Sequence, residues 1–280
     1  MNFKRTYQKM YYQFLKRHYY GITAKSRVLP DFLIIGAVRS GTTSLYYDIC
    51  QHPSVKKAAY DEIGFFDDNY HLGEDWYRSL FPTKKKMHEV KQNTGNAITG
   101  EDTPFYIWNE IACKRIAEVL PNVKLIAILR NPVDRAYSNY FLGVRHGNET
   151  KNFDYAIMKD IEFLDSKIKM EFKNSDYKKS YVAKGFYAKQ LKKWFEHFEK
   201  KQIFITTTEE LDNNPNIVLE QIFKFLELPN YSIKEIKRHK KSKYPKMNEN
   251  VRKKLLNYFE PYNEELFELI NQRFDWLKKN

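Results

Sequence analysis

Strand-like and helix-like segments alternate along this chain, which predicts an α/β fold: a single domain with a central parallel sheet and helices on both faces. Three observations carry that prediction. Asp31-Phe-Leu-Ile-Ile-Gly36 is a compact apolar run stopped by glycine, and a helical pattern follows it. Val123-Lys-Leu-Ile-Ala-Ile-Leu129 is the clearest buried strand, and it leads through Arg130-Asn131-Pro132 into another helix. No internal repeat and no Gly-, Ser- or Pro-rich linker interrupts the chain, so one domain is the simplest organisation.

The elements follow in order. Phe3, Tyr7, Met10, Tyr11, Phe14 and Tyr19 have helical spacing, with Lys4, Arg5, Lys9, Lys16 and Arg17 between them. Residues 1–30 therefore read as a basic amphipathic helical extension before a domain over 31–280, packed on that domain or lying on a membrane surface. A strand over 31–36 and a helix over 42–51, ended near Pro53, come next. Residues 84–100 are rich in Lys and poor in apolar residues, and read as an exposed loop or insertion. A helix over 111–120 is closed by Pro121; the strand 123–129 and a helix from about Val133 follow. Residues 160–180 are charged and read as a solvated helix and loop. A helix over 188–200 leads to a third strand, 202–206. Helices over 215–226, 249–259 and 263–270 complete the chain. In such sheets ligands bind beyond the carboxyl ends of the strands.

Composition narrows the classes. The 280 residues carry 48 Lys+Arg against 35 Asp+Glu, a net charge of +13, and 16% are aromatic. The aromatic content argues against disorder, and ten Gly and ten Pro argue against collagen-like or low-complexity character. Two cysteines, Cys50 and Cys113, are too few for a disulfide framework or a four-thiolate zinc site, and fit a reducing compartment. No apolar run is long enough to span a membrane, and the N-terminus lacks the apolar core of a secretory signal. The excess of positive charge favours an anionic partner: phosphate, sulfate, acidic glycan, nucleic acid or anionic membrane.

Gly36-Ala-Val-Arg39-Ser40-Gly41-Thr42-Thr43 lies between the first strand and the first helix. Backbone amides of such a loop, with the helix N-terminus, can converge on phosphate oxygens. The two glycines have Walker A spacing, but Thr42 stands where the lysine of GxxxxGK[ST] belongs, and Arg39 brings a cation inside the loop. A plain strand–helix turn is the competing reading. Arg130, at the end of a buried strand, and Ser138, two turns into the next helix, could hold a second phosphate; alternatively Arg130 pairs with Asp134. Glu62, beside Phe65 and Phe66, is a candidate base, with Asp61 and His71 as neighbours. His71 reads as structural, and Asp67 and Asp68 as a solvated acidic turn. No metal-ligand spacing stands out. Leu191, Trp194 and Phe198 read as core, and the basic run 237–247 as a solvated charge cluster.

These segments together resemble the sulfotransferases that use 3′-phosphoadenosine-5′-phosphosulfate (PAPS), in particular heparan sulfate N- and O-sulfotransferase domains and their bacterial counterparts. FLIIGAVRSGTTSL resembles the family's 5′-phosphosulfate loop, LRNPVDRAYSNY its 3′-phosphate motif, and DEIGFFDDNYHLGEDWYRSLFP the segment carrying its catalytic glutamate. The resemblance implies a P-loop-like sulfotransferase fold. It implies that Arg39, where most members have Lys, Ser40, Gly41, Thr42 and Thr43 hold the 5′-phosphosulfate. It implies that Arg130 and Ser138 hold the 3′-phosphate and that Glu62 is the base. It extends to Gly185 and Tyr187 near the nucleotide, and to Lys240, Lys241, Ser242, Lys243 and Tyr244 in a loop covering it. Gly100-Glu101-Asp102-Thr103-Pro104 is similar to the substrate-side segment, with Asp102 where some members carry Lys. The implied reaction is sulfuryl transfer from PAPS to a hydroxyl or amine of a glycan or glycolipid. It needs no metal and no nucleic-acid partner. The expected location is cytoplasmic, with peripheral membrane contact through the N-terminal helix. A P-loop NTP-dependent kinase and a non-catalytic basic nucleic-acid-binding protein are the alternatives.

Overall fold

The computed structural model describes residues 22–166, 173–233 and 244–276, with Tyr7 and Tyr11. Of the predicted extension over 1–30, all before residue 22 except Tyr7 and Tyr11 lies outside the described residues, as do Lys240, Lys241, Ser242 and Lys243; a short 3-10 turn covers Ala24–Ser26, and 27–30 are not helical.

Five parallel strands form one sheet in the order β2-β3-β1-β4-β5: β1 is Phe32–Gly36, β2 Val55–Lys57, β3 Ile98–Asp102, β4 Lys124–Leu129 and β5 Ile203–Thr207. The helices are α1 (Thr42–Ile49), α2 (Glu74–Arg78), α3 (Lys84–Thr94), α4 (Glu110–Val119), α5 (Pro132–Arg145), α6 (Phe153–Ser166), α7 (Asn174–Lys179), α8 (Tyr187–Phe195), α9 (Thr208–Asn213), α10 (Pro215–Phe225) and α11 (Glu249–Ile270). The two-residue period of the strands sorts the core. Phe32, Ile34, Ile126 and Ile128 face α1 and α10 with Leu45, Ile49, Leu219 and Ile222. Leu33, Ile35, Leu125, Ala127 and Leu129 face the other layer, which includes Ile116, Val133, Leu191, Trp194 and Phe259. Both faces of the central strands are therefore apolar, which is why β1 and β4 read as uninterrupted hydrophobic runs.

Local chemistry starts the helices where they are. Asn131 Oδ1 accepts from Val133 N at 3.0 Å, and Pro132 takes the first position of α5. Asn109 caps α4 in the same way. Gly185 permits a close approach: a Cβ there would stand 2.8 Å from Pro132 Cβ and 2.9 Å from the Phe259 ring.

Several expectations change. Residues 84–100 are not a loop: they form α3 and most of β3, which pairs directly with β1. Thr99, Glu101 and Asp102 are all buried in β3, so the strand carries little of the apolar signature that marks β1 and β4. The short strand β2 was likewise not expected. Within 160–180, Asp160 is no solvated charge: its Oδ2 accepts from Ser180 Oγ at 3.0 Å, Tyr181 N at 2.6 Å and Val182 N at 2.8 Å. The helices expected over 249–259 and 263–270 are one helix, α11, with Pro261 inside it. The helix expected to reach residue 200 stops at Phe195.

Candidate active site

The carboxyl ends of β1, β3 and β4 bring the candidate residues to one edge of the sheet. The phosphate loop leaves β1 at Gly36, and Gly41 caps α1 in a left-handed conformation at φ 89°. A Cβ on Gly41 would meet nothing within 4 Å, so the space above it is open. Arg39 is also left-handed, at φ 70°, a strained setting for a residue with a side chain. Its guanidinium turns towards β4: Nε donates to Ser138 Oγ at 3.0 Å and Nη2 to Tyr244 OH at 3.0 Å. Ser138 Oγ and Tyr244 OH are themselves 3.2 Å apart. Arg130 Nη1 donates to the Arg39 carbonyl at 3.2 Å. The two predicted anion-binding motifs thus meet after two neighbouring strands. Asp134 does not pair with Arg130: it takes Arg252 instead, Nη1 to Oδ1 at 2.6 Å and Nη2 to Oδ2 at 3.2 Å.

Tyr187 lies beneath this cluster. It is buried, its hydroxyl donates to the Arg130 carbonyl at 2.9 Å, and its ring lies 5.9 Å from that of Trp276. Thr208, which the sequence reading passed over, ties the loops together: its hydroxyl bonds to the Ser40 carbonyl at 2.8 Å and the Leu129 carbonyl at 3.0 Å. Glu209 Oε1 accepts from Asn131 N at 3.0 Å. The signal for both was the Thr207–Glu210 capping box after β5.

Glu62 sits on the turn between β2 and α2, left-handed at φ 51° and partly buried. Its N–H donates to the Asp102 carbonyl at 2.9 Å, and Gly64 N–H donates to Thr103 Oγ1 at 3.1 Å. Two bonds therefore dock the turn on the end of β3. Beneath it, Glu101 is fully buried. Its carboxyl accepts from Tyr77 OH at 2.9 Å, Tyr106 OH at 3.1 Å and Thr103 Oγ1 at 2.7 Å. Burial raises Glu101 to about 7, against the pull of those three hydroxyls. Asp61 accepts from Tyr47 OH at 3.0 and 2.9 Å. His71 is exposed in the turn Tyr70–Leu72. Asp67 is partly buried, and burial raises its carboxyl above the ordinary value. Among the described residues no group of three or more His, Cys, Asp or Glu suits a metal ion.

A phosphate-type loop opening a helix, two arginines and a buried hydroxyl at adjacent strand ends suit a ligand with several anionic groups. The family model described as "Sulfotransferase domain" matches residues 29–271. The chain belongs to the sulfotransferase family. It is an enzyme of that class, with the P-loop-like α/β fold of its members. This sulfotransferase is 26% identical to the membrane-associated sulfotransferase kil1 of Dictyostelium discoideum, over 91% of this chain and 68% of that protein. It is 30% identical to the human bifunctional heparan sulfate N-deacetylase/N-sulfotransferase 3, over 87% of this chain but only 30% of that longer protein. Among solved structures, a sulfotransferase from Alicyclobacillus acidocaldarius superposes with a TM-score of 0.68 at 25% identity, covering 90% of this chain and all of that one.

Proposed function

We propose that this sulfotransferase moves the sulfuryl group of PAPS to a hydroxyl or amine of a carbohydrate or glycolipid. The observation that carries the reading is the convergence of Arg39, Ser138 and Arg130 across the ends of β1 and β4. One nucleotide phosphorylated at both ends would engage both motifs. The donor set fits such a polyanion: amides at the start of α1, guanidinium groups and hydroxyls, with open space over Gly41.

In this scheme Gly41, Thr42 and Thr43 hold the 5′-phosphosulfate with Ser40. Arg130 and Ser138 hold the 3′-phosphate. Tyr187 fixes the carbonyl of Arg130 from below. Lys240, Lys241, Ser242 and Lys243 precede Tyr244, which bonds to Arg39, and the three lysines bring further positive charge for the same anion. PAPS supplies a sulfuryl group on a phosphate leaving group. Glu62 takes the proton as the acceptor oxygen or nitrogen attacks sulfur. Arg39 stabilises charge gathering on the leaving phosphate and the sulfuryl oxygens. The left-handed turn docks Glu62 on the end of β3 with its side chain partly exposed, and in this scheme the incoming hydroxyl meets the carboxylate there.

The named relatives that act on heparan sulfate support a glycan acceptor, and the name of kil1, a membrane-associated sulfotransferase, supports peripheral membrane contact. A kinase reading is disfavoured by Thr42, which leaves the Walker lysine position without a cation. Incubation with sulfur-labelled PAPS and a panel of glycans tests the proposal. Label should enter at least one glycan, and absence of both transfer and calorimetric PAP binding would overturn it.

A further inference from the structure

Asp102, the last residue of β3, is a sealed acid. It lies opposite Ile34 of β1 and is 0% exposed. Neither carboxyl oxygen has a hydrogen-bond partner at bonding distance among the described residues. Such a group in charged form would meet neither water nor a paired donor, a costly arrangement.

Its surroundings sharpen the point. From the turn after β2 it faces Asp61 and Glu62, and from its own strand Glu101, all three disfavouring a further negative charge. From α1 the Thr43 hydroxyl lies near enough to favour the charge slightly, and Tyr46, Tyr47 and Cys50, each raised chiefly by burial, also lie near Asp102. Lys57 stands 4.3 Å over the Tyr47 ring. Burial, then the neighbouring carboxylates, hold the Asp102 carboxyl well above the usual carboxylate range. At the same time its backbone carbonyl receives the Glu62 N–H at 2.9 Å. Main chain and side chain of one residue therefore bear on the turn that carries Glu62.

We propose that Asp102 is a positioning residue for sulfuryl transfer: in its protonated form it keeps the turn that carries Glu62 seated between β3 and α1. Where two carboxyl groups share a site, one keeps a proton so that the other can be a base. The deeply buried member, with the Thr43 hydroxyl near it but no donor at bonding distance among the described residues, keeps it; the partly exposed member, Glu62, accepts the substrate proton. Ionisation of Asp102 at alkaline pH sets a second negative charge behind the turn and unseats it. The inference rests on the assignment of Glu62 as base.

The experiment compares native enzyme, Asp102→Asn, Asp102→Ala and Glu62→Gln. It follows kcat and KM from pH 6 to 9.5, with PAP affinity by calorimetry and thermal melting as checks of the fold. Asn reproduces the neutral acid in shape. Asp102→Asn should keep kcat within about threefold of native at pH 7, with PAP affinity unchanged, and should stay active at alkaline pH where the native enzyme declines. Asp102→Ala should lose about tenfold or more in kcat while PAP still binds. If Asp102→Asn is as inactive at pH 7 as Glu62→Gln, fails to fold, or has a pH profile superimposable on the native one, the proposal is wrong. Retained turnover in Glu62→Gln refutes the base assignment itself, an outcome distinct from failure of the Asn arm with Glu62→Gln inactive.

Discussion

Arg39 Nε donates to Ser138 Oγ at 3.0 Å and so joins the phosphate loop after β1 to the helix after β4. The contact spans 99 residues of sequence and brings together two motifs that resemble opposite ends of one nucleotide site. Tyr244 OH completes the trio at 3.0 Å from Arg39 Nη2 and 3.2 Å from Ser138 Oγ. Among the described residues the cation inside the loop is held by hydroxyl groups, not paired with a carboxylate, and so is available to an anion.

In the proposed scheme Arg130 binds the 3′-phosphate. Arg130→Ala should weaken PAP binding about 10- to 100-fold, the range expected for losing a charge-assisted hydrogen bond. Adenosine 5′-phosphate, which lacks the 3′-phosphate, should bind the variant and the native protein alike. Calorimetry with both nucleotides checks this, and equal losses would refute the assignment.

Much of the frame of this candidate site was legible in the sequence because it is apolar or glycine-marked. β1 and β4 are continuous hydrophobic runs, and Gly36, Gly41 and Pro132 punctuate the turns that follow them. β3 escaped because its burial is polar. Glu101 is satisfied there by hydroxyls of Tyr77, Tyr106 and Thr103, residues spread from 77 to 106, and no local pattern announces such a network. The Arg39–Ser138 bond was unreadable for a related reason: it depends on β1 and β4 being neighbours and on a left-handed Arg39. Local spacing made Asp134 a natural partner for Arg130, but α11 supplies Arg252 from a distant part of the chain.

Glu101 gives the fold a pH dependence. Its pKa rises from 4.5 to about 7 on folding, so the folded protein holds a proton that the unfolded chain has released between those values. The stability this group contributes is full below about pH 4.5 and is lost as pH rises through about 7. Glu101→Gln should remove that slope. Denaturant titrations at pH 5, 6, 7 and 8 should show the native-minus-variant difference falling by on the order of 3 kcal/mol across the window.

Gly185 sits where α11 and the start of α5 close on the backbone. Gly185→Ala would place Cβ 2.8 Å from Pro132 Cβ, so one of the packed elements must move. A loss of about 1–3 kcal/mol is expected, read as a lower denaturation midpoint with an unchanged denaturant slope.

Asn131 both starts α5 and holds the C-terminal segment, since its Nδ2 donates to the Trp276 carbonyl at 2.8 Å. Asn131→Ala should cost about 1–2 kcal/mol of stability. It should also raise the KM for PAPS more than it lowers kcat, because Arg130 is the adjacent residue and the 3′-phosphate end loosens first. Steady-state kinetics beside a melting curve separate the two effects.

The central claim is that Glu62 drives sulfuryl transfer from a nucleotide held by Arg39, Arg130 and Ser138. Its most direct test is label transfer from sulfur-labelled PAPS to a glycan panel by native enzyme and Glu62→Gln, with PAP affinity measured for both. The account predicts labelled glycan from the native enzyme, none from the variant, and equal PAP affinity. Undiminished transfer by Glu62→Gln, or a native enzyme that neither binds PAP nor labels any acceptor, would contradict it.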